Sequence, residues 1–167
     1  MKTKEDLAVE NAISYEKLII MKLSKTLAID TNGLRVLDKD GHPINNNGGE
    51  LNPIKREYLV RAQKFVKLLK KAKRNNRDIT SYGLKHDAEN YLNSIAKEKY
   101  KDTYVSNGAL ICAMILAGFD YQCFNNIALF QWKPTNKDNV DYYTSINVTF
   151  NVYRRQLREI RKLYKIN

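Results

Sequence analysis

Nine consecutive residues, Ala109 to Ala117 (ALICAMILA), carry no charged or strongly hydrogen-bonding side chain. No other stretch constrains the fold as much, because a helix that is apolar all round must be enclosed by other parts of the chain or by lipid. Crossing a bilayer takes about 20 such residues, and this run has less than half of them. Ser106 or Asn107 can accept hydrogen bonds from the first free N–H groups. Gly118 suits the left-handed position just past a helix, with Phe119 packing back. The run therefore predicts a buried central helix over 107–117. It is no DNA-reading helix, since Leu110 to Ala117 present no Arg, Lys, Asn or Gln to base edges.

Around this helix the pattern predicts an α+β fold, mainly helical. Leu7, Ala12, Tyr15, Leu18 and Ile19 recur at helical spacing over 5–22. Asn32-Gly33 and Asp40-Gly41 are turn dipeptides between short β-type runs. An N-terminal helix with a small hairpin region thus fills 1–44. The NNNGGELN stretch at 45–52 reads as a linker, and 53–167 as the main α+β domain. Asn52-Pro53 supplies an N-cap and a first-turn proline for a helix running to about Arg74. A further helix follows from Ser81, with Leu84, Ala88, Tyr91, Leu92 and Ile95 inward. NIALFQWK (126–133) and TSINVTFNVY (144–153) read as a C-terminal β-hairpin. A basic helix follows, with Leu157, Ile160 and Leu163 or Tyr164 inward.

Charge is the second strong signal. The net charge is +11, and residues 55–77 and 154–165 contribute +9 and +5, leaving −3 for the remainder. On a helix over 53–74, Tyr58, Ala62, Phe65, Val66, Leu69 and Ala72 share one face, opposite Lys64, Lys67, Lys70, Lys71 and Arg74. With Arg154, Arg155, Arg158 and Arg161 of the last helix, these are the candidate nucleic-acid-binding residues, since segregated positive charge suits a polyanion. An amphipathic basic helix also fits a membrane surface, and solvated surface lysines are the commonplace alternative. A single Trp and the need to cover a core favour phosphate over lipid. The eleven tyrosines permit base stacking, although most tyrosines simply pack with the hydroxyl at the surface.

Catalytic signatures are absent: there is no P-loop, GxGxxG, GxSxG or HExxH pattern. His86 and Glu89 lie one turn apart and could make a base oriented by a carboxylate or half of a metal site. Metal sites usually need three or four ligands, however, and the ordinary reading is a first helical turn in which His86 bonds a neighbouring segment. His42 sits in a turn without a partner. Cys112 and Cys123 are the only cysteines and read as reduced thiols of a cytoplasmic protein. Cys112, between Ile and Ala, lacks the electropositive niche of a nucleophile. The N-terminal residues show no apolar leader. No catalytic residue, cofactor or metal is expected.

The segment TSYGLKHDAENYL…YVSNGALICAMILAGF, residues 80–119, resembles one found in small uncharacterised proteins of phages, plasmids and other mobile elements. It covers about a quarter of the chain, and the lysine-rich stretch Lys97 to Asp102 is longer here than in that pattern. The resemblance implies a mobile-element setting and brings no activity. The resulting expectation is a non-enzymatic nucleic-acid-binding accessory or regulatory protein of a mobile element, contacting DNA or RNA phosphates through basic helices. The alternative is a protein-binding inhibitor or adaptor, of anti-defence type, that docks on a nucleoprotein complex.

Overall fold

A computed structural model describes residues 18–96, 102–125 and 144–165. In chain order the elements are β1 (Leu18–Ile19), β2 (Met21–Lys22), β3 (Leu27–Asp30), β4 (Gly33–Val36), β5 (Ile54–Lys55) and α1 (Arg56–Val66). There follow β6 (Lys71–Thr80), α2 (Ser81–Ile95), α3 (Asn107–Leu116), β7 (Tyr121–Asn125), β8 (Thr144–Val152) and α4 (Arg154–Lys165). All strand pairs are antiparallel, in sheets ordered β1–β5, β2–β3–β4 and β6–β8–β7. The class is α+β, but the expectation of a mainly helical chain is corrected: helix and strand take 39% and 31% of the described residues.

Helix α3 forms as its sequence dictates. Ser106 Oγ accepts from the Ala109 N–H at 3.2 Å. At the other end Gly118 (φ 76°) donates to Ile115 O and Phe119 donates to Met114 O, the paired bonds of a Schellman stop. Asn107 to Met114 are buried throughout. α1, α2 and the β3–β4 hairpin surround the helix, and one apolar cluster runs from Ile19 to Ile160. Burial pushes the Cys112 thiol far above its ordinary pKa, so it holds its proton. Among the described residues, no helix is long and apolar enough to cross a membrane.

The largest correction concerns the helix expected to reach Arg74. It stops at Val66, turns through Leu68 N–H to Phe65 O and Leu69 N–H to Val66 O, and becomes strand β6. Lys, Leu and Ala at 67–72 all favour helix, so local propensity loses to tertiary pairing. The reason lies in β8, which is buried on both faces: Val148, Phe150 and Val152 on one, Ser145, Thr149 and Asn151 on the other. Such a strand needs partners along both edges, and 71–80 fills one of them. The pairing is heavily bulged, with Lys71, Asn76 and Thr80 opposite Val152, Phe150 and Thr149. Asparagine side chains fill the gaps: Asn75 Nδ2 donates to Thr149 O, and Asn151 Nδ2 to Ala72 O.

Other differences are local. Residues 18–22, expected to end a helix, form β1 and β2; the rest of that helix lies outside the described residues. The strand expected at 126–133 also lies outside them. Tyr121–Asn125 is the observed neighbour of β8. The first hairpin turns through Thr31-Asn32, with Gly33 opening β4. Residues 45–52, the expected linker, are laced to this hairpin by a buried polar network. Asp30 Oδ1 accepts from the Asn32 and Gly33 N–H groups, and its Oδ2 from Arg35 Nη1 and the Asn52 N–H. Arg35 also donates to Asn45 O and Gly48 O.

Two contacts fix how closely these parts approach. Gly108 donates to Thr31 O at 3.1 Å, and a Cβ on Gly108 would overlap the Asp30 carbonyl. A Cβ on Gly33 would likewise overlap the Ile146 carbonyl. Gly108→Ala should therefore destabilise by about 3 kcal/mol or more, since backbone rather than a pliable side chain must give way. Leu110→Ala, a buried truncation, should cost about 2–5 kcal/mol; urea unfolding of both variants measures this. Native Cys112 should resist a thiol reagent that modifies it at once in denaturant.

Candidate nucleic-acid interface

The two basic segments are far apart in sequence and adjacent in space. Lys71 pairs with Val152, and the Tyr153 N–H donates to Lys70 O at 2.8 Å. Gln156, in the first turn of α4, reaches back twice: Oε1 accepts from the Lys70 N–H at 2.7 Å, and Nε2 donates to Leu68 O at 2.6 Å. The end of α1, the 67–70 turn, β6 and the start of α4 thus form one seam. No helical face gathers Lys64, Lys67, Lys70, Lys71 and Arg74 as expected. Lys64 lies in the last turn of α1, Lys67 caps it, Lys70 lies in the 67–70 turn, and Lys71 and Arg74 lie on edge strand β6. All five are exposed, and the Lys71 ammonium sits 5.7 Å from the Phe119 ring centroid.

The candidate arginines divide. Arg155 and Arg158 are exposed and, among the described residues, have neither hydrogen-bond nor ion-pair partner. Arg154 donates to Asn76 Oδ1 at 2.5 Å and Asp78 Oδ2 at 2.6 Å, fastening α4 to β6. Arg161 turns away to α2, where it grips buried Asp87 from Nε and Nη2, the shortest bond being 2.6 Å. Tyr164 Oη donates to the same carboxylate at 2.6 Å. Hydrogen bonding to Asp87 raises the Arg161 pKa further. For Tyr164, burial and then the Asp87 contact hold the phenol protonated. Arg161 is a strut between helices.

Lys73 and Arg77 join the seam although the helical pattern did not select them. Both are exposed on β6, and only a strand reading of KAKRNNRDIT would have put them beside Arg74. Leu59, Ala62, Phe65 and Val66 of α1 are buried and Val60 is its one exposed aliphatic residue, at 44%, so the apolar face of this helix is taken up by the core and not free for a lipid surface. The charged edge strand has another use, because lysines and arginines there discourage pairing with other molecules. That explains β6 but not Arg155 and Arg158, which stand on a helix.

His86 and Glu89 meet in a local hydrogen-bonded group on α2. Glu89 Oε2 meets His86 Nδ1 at 2.9 Å, while its Oε1 accepts from Lys85 Nζ at 2.8 Å and the Val105 N–H at 3.2 Å. Glu89 therefore ties the segment before α3 to α2. Among the described residues, no three His, Cys, Asp or Glu side chains cluster as a metal would need. Comparisons with protein-family models, curated proteins and solved structures give no match to this chain.

The division of the arginines is measurable. Arg161→Gln should lower stability by about 1–3 kcal/mol, because it removes charge-assisted bonds from a buried carboxylate. Arg158→Gln should stay within about 0.5 kcal/mol of the parent. Denaturant melts of the two variants check the contrast.

Proposed function

We propose that the protein binds nucleic acid, as a non-enzymatic accessory or regulatory protein of a mobile genetic element. The contacts are made to phosphates from the seam of β6, the 67–70 turn and the first turns of α4. The observation that carries this reading is the convergence of two basic segments, 86 residues apart at the Lys70–Gln156 bond, into one surface. Lys67, Lys70, Lys73, Arg74, Arg77, Arg155 and Arg158 have no acidic partner there among the described residues. Flexible lysines and forked arginines on an open surface suit backbone phosphates, which carry no sequence information. The mobile-element setting rests on the resemblance of residues 80–119 alone.

Replacing Lys73, Arg74, Arg155 and Arg158 together by Gln should leave the fold intact, since all four side chains are exposed. Affinity for DNA or RNA should fall for every sequence alike. The log–log salt slope should become shallower by about 0.7 to 0.9 for each phosphate that is no longer neutralised. Titrations at several salt concentrations read this out. An unchanged slope, or no binding by the parent, would remove direct phosphate binding. It would leave the inhibitor or adaptor reading, in which a protein partner is needed.

A further inference from the structure

A cleft of about 310 Å³, with no seam residue in its lining, is bounded by Thr31, Asn32, Tyr82, Lys85, Tyr104, Asn107, Ile146 and Asn147. Its walls combine aromatic faces with a cation. Lys85 Nζ lies 4.9 Å from the Tyr104 ring centroid and 5.8 Å from that of Tyr82. Tyr104 also meets Tyr58 edge-on at 5.0 Å, and Tyr82 meets His86 edge-on at 4.6 Å. Tyr82 and Tyr104 are 53% and 47% exposed, so part of each ring is open to solvent.

The polar lining is mostly uncharged in effect. Lys85 is only 8% exposed and its charge is balanced by Glu89 at 2.8 Å, so the site does not call for an anion. Asn107, 6% exposed, gives its Nδ2 to Asn32 O, Asn147 Oδ1 and Ile146 O. Its Oδ1 is shielded from water and receives no hydrogen bond among the described residues. A buried acceptor without a donor is disfavoured, so a ligand N–H reaching it through a small movement of the floor would be welcome. The Asn147 amide and the Thr31 hydroxyl offer further uncharged donors and acceptors.

Flat aromatic walls, one cation against their faces and an uncharged polar floor match a nucleobase, not a phosphate or an apolar peptide side chain. The volume suits one heterocycle with its sugar. A base can enter only when it is unstacked and unpaired. We infer that this cleft seats a single base of a single-stranded nucleic acid, stacked on Tyr82 or Tyr104 with its edge toward Asn107 and Asn147. The inference rests on the nucleic-acid reading above and adds a strand preference that phosphate contacts do not supply.

The test compares the full chain with Tyr82→Ala, Tyr82→Leu and Tyr82→Phe, using a labelled single-stranded DNA of about ten nucleotides and its duplex. Fluorescence anisotropy reports binding. The parent should prefer the single strand. The Ala and Leu variants should bind the single strand about 5- to 100-fold more weakly, with duplex binding nearly unchanged, and Phe should restore the parent affinity. Because Leu keeps the bulk and removes the π face, a weakening shared by Leu and Ala but not by Phe belongs to stacking. Equal affinities for all four proteins, or equal weakening on strand and duplex, would overturn the cleft while leaving the seam standing. Absence of parent binding to either polymer would overturn both.

Discussion

The side-chain amide of Asn107 holds together three parts of the chain that share no secondary structure. Its Nδ2 has acceptors on all sides: the Asn32 carbonyl in the β3–β4 turn, and Asn147 Oδ1 and the Ile146 carbonyl on β8. Only one amide orientation is compatible with these neighbours. Beside it the Gly108 N–H donates to Thr31 O, and the missing side chains of Gly108 and Gly33 let three backbones approach at one point. The apolar helix α3 cannot shift along its axis without breaking this junction. β8, the middle strand of its sheet, is fixed by it too, and α4 follows β8 after a single residue. The basic seam therefore inherits its position from a junction that carries no net charge.

Charge in this molecule falls into two kinds, and burial separates them. Arg35 and Asp30 are 2% and 0% exposed and meet at 3.2 Å. Removing one partner of such a pair typically costs about 3–5 kcal/mol, mostly because the other is left buried alone. Arg161 on Asp87 lies between the two kinds, its side chain 38% exposed against 10% for the carboxylate, and its loss costs correspondingly less. Arg61, bonded to Asp102 Oδ2 at 3.0 Å and to Tyr104 O at 3.1 Å, holds the entry to α3. There the Tyr104 N–H, and then Arg61, keep the Asp102 carboxyl below its ordinary pKa. Lys67, Lys73, Arg74, Arg77, Arg155 and Arg158 are of the other kind: they stand in solvent and have no acidic partner among the described residues. Formal charge therefore overstates what the arginine-rich terminal helix offers a polyanion, since two of its arginines already serve the fold.

Much of the fold was written in local signals. The cap and stop of α3 follow from Ser106, Gly118 and Phe119, each acting within a few residues. The same is true of α2, where Thr80 Oγ1 accepts from the Gly83 N–H. What could not be read was non-local. Phe65, Val66, Leu69 and Ala72 keep helical spacing through the point where the helix stops, and the demand that ends it comes from β8, some 80 residues on. The candidate site was legible as composition and not as geometry. Segregation of Lys and Arg picked out the two segments that meet in the seam, yet the expected helical face omitted Lys73 and Arg77, and the candidate arginines of the last helix included the strut Arg161. The tyrosine cleft was hidden altogether, because Tyr104 is brought to Tyr82 and Lys85 of α2 by non-local contacts, among them Glu89 with the Val105 N–H and Arg61 with Tyr104 O.

The seam is harder to explain as a solubility device than as a binding surface. Solubility calls for charges of both signs spread over the surface, whereas here like charges stand together and repel. Protection of an edge strand accounts for the positive residues along β6, but one or two would suffice, and a helix start gains nothing from Arg155. Cations beside a helix N-terminus oppose its dipole, so Arg154 and Arg155 sit where local electrostatics disfavours them. Arg154 offsets this by gripping Asp78 and Asn76; Arg155 has no such compensation among the described residues. Gln156 meanwhile fastens that same turn to Lys70, drawing further positive charge toward it. A rigid arrangement that concentrates mutual repulsion becomes favourable once an anion lies across it. A phosphate backbone is the extended anion that would span the turn, the strand and the helix start together.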